Sequence, residues 1–97
     1  MPKYVALVNF TDEGIRRAQD VAGSAARTKE RETRAKELGI TQDTMYLTMG
    51  PYDRVAVYDA PCDEAMAKFA LWVGSRGSVR TITMRAFTAE EASNILG

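Results

Sequence analysis

Two places in this chain carry residue types that could do chemistry. The bend in "LTMGPYDRVAVYDAP" sets Tyr52 beside Asp53, and Arg85 stands on a strand-forming stretch near the C-terminus. A positioned tyrosine can donate or accept a proton and an aspartate can serve as a base. A guanidinium grips a carboxylate or phosphate with paired N–H groups. Hydroxyls of Tyr46, Thr48, Thr81 and Thr83 alternate along two strand-forming stretches. With Gly50 of the bend they complete a ligand-binding set: Tyr46, Thr48, Gly50, Tyr52, Asp53, Thr81, Thr83 and Arg85. Each has a plainer reading. Asp53 can bond the amides of its own bend with Tyr52 packed over it, and Arg85 can pair with Asp53 or Asp59 in place of an anionic metabolite. No catalytic residue is assigned.

The chain has no histidine, which removes the commonest general base near neutral pH and the commonest metal ligand. No metal site and no cofactor are expected. Cys62 is the single cysteine, so there is no internal disulfide and a reducing, cytoplasmic setting is expected. Next to Asp63 and with no activating imidazole, it reads as a small residue at a helix start, not a nucleophile. Thirteen basic residues balance thirteen acidic ones, so no global field draws in nucleic acid or an anionic membrane. "MPKYVALVNF" reads as a first strand and not a signal peptide. No apolar run is long enough for a membrane span.

The elements that must position these groups fit a single domain, residues 1–97. "YVALVNF" (4–10) is a strand, and Thr11 caps a helix whose first turn holds Asp12 and Glu13. One helix from 12 to 38 would run about 40 Å against a strand of about 23 Å. The expected interruption is Gly23-Ser24, with a second helix from about 25 to 38 closed by Gly39. That second helix, "ARTKERETRAKEL", reads as a solvated face laced by Glu30–Arg34 and Glu32–Lys36 pairs. Strands follow at 41–49 and 52–60, a helix over "CDEAMAKFALWVGS", a strand within 76–87, and a short terminal helix with a Thr88–Glu91 capping box. "GSRGSVR" reads as a helix C-cap and not a phosphate loop, and Trp72 as packing at the core margin.

The order β-α-β-β-α-β plus a C-terminal helix is the α+β, ferredoxin-like arrangement: a four-stranded antiparallel sheet with both main helices on one face. Alternation splits the last strand into Ile82 and Met84 against Val79, Thr81, Thr83 and Arg85, and the second into Met45, Leu47 and Met49 against Thr44, Tyr46 and Thr48. The mixed set, placed on the uncovered face, carries too little charge for bulk water. Packing that face on a second copy closes a dimeric α/β-barrel whose lumen would hold Tyr46, Thr48, Thr81, Thr83 and Arg85.

"FTDEGI", "YLTMGPYDRVAVYDAP" and "SRGSVRTITMRAF" resemble, in order and spacing over residues 4–88, the GYD domain family of small bacterial and archaeal proteins, whose Gly-x-Tyr-Asp hairpin is here Gly50, Tyr52 and Asp53. The resemblance implies a dimeric α/β-barrel chain and supplies no reaction. The departure is "GSAARTKERE", where a Ser-Pro-type break is expected. A weaker likeness is to the effector-binding domain of feast/famine regulators, without their DNA-binding helix-turn-helix. The expected function is a homodimeric or larger, non-enzymatic small-ligand-binding or regulatory module, its site in the lumen near the hairpin and its ligand a small anionic metabolite. The alternatives are a cofactor-free oxygenase or isomerase using Tyr46, Tyr52, Asp53 and Arg85, and a purely structural oligomer.

Overall fold

Alternation shapes the first strand: Tyr4, Ala6 and Val8 are buried while Val5 and Leu7 between them are half-exposed. A computed structural model describes all of residues 1–97. Its elements are β1 (Lys3–Phe10), α1 (Asp12–Arg17), α2 (Val21–Glu37), β2 (Thr41–Leu47), β3 (Arg54–Asp59), α3 (Asp63–Ser75), β4 (Val79–Ala86) and α4 (Ala89–Leu96). The strands lie in the order β2-β3-β1-β4, every neighbour antiparallel. This is the ferredoxin-like topology expected from the element order, with the C-terminal helix added and the Thr88–Glu91 capping box formed.

The helix break is not at Gly23-Ser24. It falls at residues 18–20, where Asp20 caps α2 by accepting from the Gly23 N–H at 3.1 Å. Aspartate is a strong N-cap, and a glycine in the first turn costs less than one in mid-helix. A Cβ on Gly23 would lie 2.2 Å from the Asp20 carboxylate, so the glycine serves the cap and does not end the helix. The ion pairs on α2 also differ from expectation. Arg34 joins Glu37 at 3.2 Å, and Glu30 reaches across to Arg76 beyond α3.

One face of the sheet carries the helices, and the buried side chains form a single cluster there. α3 supplies Met66 and Phe69 to it, and also buries Ala65. Phe69 meets Tyr58 edge-on at 5.5 Å and stacks on Trp72 at 6.4 Å, so Trp72 does pack at the core margin. α2 buries only Ala35 along its 17 residues. The Tyr4 hydroxyl donates to the Asp63 carboxylate, which pins the start of α3 to β1. Burial first, and then that carboxylate, push the Tyr4 phenol up to about 12.

Candidate functional site

The register decides which face each candidate residue occupies. Tyr4 pairs with Arg85, Ala6 with Thr83 and Val8 with Thr81. Directly opposed residues point to the same side, so Thr81, Thr83 and Arg85 share the helix-covered face with the buried Tyr4, Ala6 and Val8. Their expected place on the uncovered face is overturned. Ile82 and Met84 take that place, opposite Leu7 and Val5.

The open face is therefore more apolar than the alternation pattern suggested. One row across it runs Thr44, Val57, Val5, Met84, and the next runs Tyr46, Val55, Leu7, Ile82. Tyr46 is 64% exposed, Ile82 51% and Met84 45%. Polar groups bound the patch. At one end Lys3 joins Asp59 at 3.0 Å and Asp43 at 3.3 Å, the Asp59 bond chiefly raising the lysine pKa. At the other end stand Asn9 and Arg80. Large exposed side chains thus form one patch within a polar rim.

Arg85 is occupied. It donates to the Lys3 carbonyl at 3.3 Å and to the Ala86 carbonyl, faces the Phe87 ring at 4.4 Å and the Tyr4 ring at 5.7 Å, and approaches Glu91 of α4 at 3.8 Å. Its acidic partner is thus Glu91, not Asp53 or Asp59. Glu91 itself is held below the usual carboxylate range, chiefly by the backbone N–H of Thr88.

The bend is a brace. Gly50 has φ +114° with open space where a Cβ would stand, so the backbone conformation, not crowding, calls for glycine. The Thr48 hydroxyl donates to the Tyr52 carbonyl at 2.6 Å, and the Thr48 N–H to the Asp53 carbonyl at 2.8 Å. Asp53 does not bond the amides of its own bend. Its N–H donates to the Val8 carbonyl at 2.9 Å, and its carboxylate accepts from the Phe10 N–H at 2.8 Å. This carries the β1–β3 pairing past Arg54, where β3 begins. Asp53→Ala is expected to cost about 2 kcal/mol, the usual loss for a bond to a charged group, and Asp53→Asn less. Urea unfolding of both variants measures it; an unchanged midpoint for Asp53→Ala would mean the carboxylate ties nothing.

Tyr46, Tyr52, Asp53 and Arg85 are not gathered into one acid–base site. Asp53 stands by Val8 and Phe10 at one end of β1, and Arg85 lies opposite Tyr4 at the other.

Sequence reasoning missed a second group, under the helices. A cavity of about 180 Å³ separates α2 from the sheet, and Arg27 and Arg31 of α2, Arg54 and Tyr58 of β3, and Phe69 of α3 line it. Desolvation first, and then the nearby Arg31 charge, lower the Arg54 pKa, while burial raises that of Tyr58.

Comparison with known proteins agrees with this architecture. A crystal structure of TTHA0845 from Thermus thermophilus superposes with a TM-score of 0.54 at 22% identity, over 92% of this chain and 96% of that one, which speaks to the fold. A protein named glutamine synthetase and cystathionine beta-lyase binding protein, also from Thermus thermophilus, is 33% identical over 87 residues, or 89% of this chain and 88% of its own length. The GYD domain model matches residues 4–96, spanning the braced hairpin and both sheet faces, so the chain belongs to the GYD domain family.

Proposed function

We propose that this protein is a non-enzymatic regulatory module that pairs with a second copy through the open face of its sheet and, so assembled, docks on a metabolic enzyme. The observation that carries the reading is the two-row apolar patch of Val5, Leu7, Val55, Val57, Ile82 and Met84 inside its polar rim. Facing patches related by a two-fold axis would cover both copies at once. The enclosed space would be mostly apolar, with the Tyr46 hydroxyl among its few polar groups and the Thr48–Asp53 hairpin at its edge. The relative named for binding glutamine synthetase and cystathionine beta-lyase supports an enzyme as the further partner. A cytoplasmic setting fits such a partner and the exposed free thiol of Cys62.

Sedimentation velocity tests the pairing. At micromolar concentration the wild-type protein is expected to sediment as a dimer or larger species. Ile82→Glu/Met84→Glu, which places two carboxylates on the edge strand of the patch, is expected to weaken association at least 100-fold with unchanged circular dichroism. A wild-type monomer under these conditions would overturn the reading. Titration of purified glutamine synthetase onto immobilised protein tests the enzyme partner, and the double variant should bind less if docking needs the assembly.

A further inference from the structure

The polar side of α2 is turned inward at the cavity. Ser24, Arg27, Thr28 and Arg31 recur at the helical spacing of three and four and all line the space between α2 and the sheet. An inward stripe normally carries apolar residues, and α2 does so only further along, at the buried Ala35. Four arginines line the cavity, Arg27, Arg31, Arg54 and Arg76, against the single carboxylate of Glu30, in a chain whose net charge is zero. Glu30 is committed to Arg76. The remaining ion pairs of the chain involve none of Arg27, Arg31 and Arg54.

Arg27 spends one N–H on the Arg17 carbonyl at 3.2 Å. Arg54 lies over the Phe10 ring at 5.0 Å with its Nε buried and without a hydrogen-bond partner. A desolvated guanidinium without an anion is costly, and costlier beside another. Arg31 and Arg54 both line the cavity, both are half-buried and neither has an ion pair, and the Arg31 charge disfavours that of Arg54; an anion between them relieves both. Apolar residues also line the cavity, Met66, Phe69 and Val8 among them. A cavity of about 150 Å³ holds benzene, so one of about 180 Å³ has room for one ring or a branched chain and not for a nucleotide.

We propose that this cavity binds a small monocarboxylate with an apolar body, aromatic or branched, its carboxylate between Arg31 and Arg54 and its body against Phe69. The site is separate from the open sheet face, so it stands whether or not the chain pairs through that face.

Isothermal titration of the full chain with benzoate and with 3-methyl-2-oxobutanoate tests it. Saturable binding of at least one is expected, at least tenfold tighter than benzyl alcohol, which keeps the ring without the charge, and than inorganic phosphate, which keeps the charge without the body. Arg54→Met is expected to weaken the carboxylate at least tenfold and also to raise the melting temperature of the ligand-free protein, because it replaces a half-buried guanidinium whose Nε is buried without a partner by an apolar chain. A merely structural Arg54 would lower that temperature. Arg31→Met gives the same test should Arg54→Met fold poorly. No saturable binding by either carboxylate, phosphate binding as tightly as both, or unchanged affinity in both variants would overturn the proposal.

Discussion

Replacing Gly14 with alanine is expected to remove a large part of the stability of this domain. A Cβ there would lie 1.8 Å from the carbonyl oxygen of Ser78, 2.8 Å from its carbonyl carbon and 3.1 Å from its Cα. All three atoms are backbone, so no rotamer change relieves the contact. The neighbourhood is bonded as well: the Thr11 N–H donates to that same Ser78 oxygen at 3.1 Å, the Thr11 hydroxyl to the Gly77 carbonyl at 2.6 Å, and the Gly14 N–H to the Thr11 hydroxyl at 3.0 Å. Making room means lifting α1 from the start of β4 and breaking this set. Overpacking costs about 1–3 kcal/mol and each of the three lost bonds about 1 kcal/mol, so a total of about 4–6 kcal/mol is expected. Domains of this size have about 5–15 kcal/mol in all. The sign matters most, since glycine to alanine inside a helix ordinarily gains about 1 kcal/mol. Gly74→Ala in α3, where nothing lies within 4 Å of the added methyl, should show that ordinary gain. Denaturant midpoints of the two variants measure both effects; equal stabilisation by both would mean that α1 is not seated on β4.

The sequence carried the element order and the terminal capping box plainly, because each rests on local chemistry: strand formers between turn residues, and Thr88 three positions before Glu91. It carried the sheet faces only in half. Alternation along β4 separates Ile82 and Met84 from Thr81, Thr83 and Arg85, but it does not say which set points inward. The assignment that the apolar set is inside holds for a chain that buries everything by itself. Here the threonines and Arg85 lie on the helix-covered face, and Ile82 and Met84 look outward as part of the open-face patch. The arginines of α2 were hidden for a related reason. Alternating signs in "TKERETRAKE" read as a solvated helix, yet Arg31 and Arg27 extend the inward stripe that Ala35 begins. A cation at an inward position was the available signal, and the balanced charge of its neighbours masked it. The "GPYD" bend was legible as a turn. The use of Asp53 was not, since its partner, the Phe10 N–H, lies 43 residues away.

Truncating Phe69 to alanine is expected to cost about 3–5 kcal/mol, with the true value toward the top of that range. Phe69 is the largest side chain that is fully buried, and much of the rest of the core is thin: Ala6, Ala35, Ala56, Ala60 and Ala65 are buried alanines. Core truncations cost least where neighbours collapse into the space. Here the ring borders an existing cavity, alanines have nothing to extend, and Tyr58 and Trp72 lose the ring against which they pack. Phe69→Leu, which keeps most of the volume, is expected to cost far less. Trp72 is the only tryptophan, so its fluorescence reports the change directly: urea unfolding should shift to lower midpoints, and native emission should move to the red as the stack is lost. In the proposed pairing, association stabilises the folded form by mass action; the midpoint of Phe69→Ala is then expected to rise with protein concentration, and that rise to vanish when Ile82→Glu/Met84→Glu is added. A cost below about 1 kcal/mol for Phe69→Ala would place the stability of this domain in its open sheet face and not under its helices.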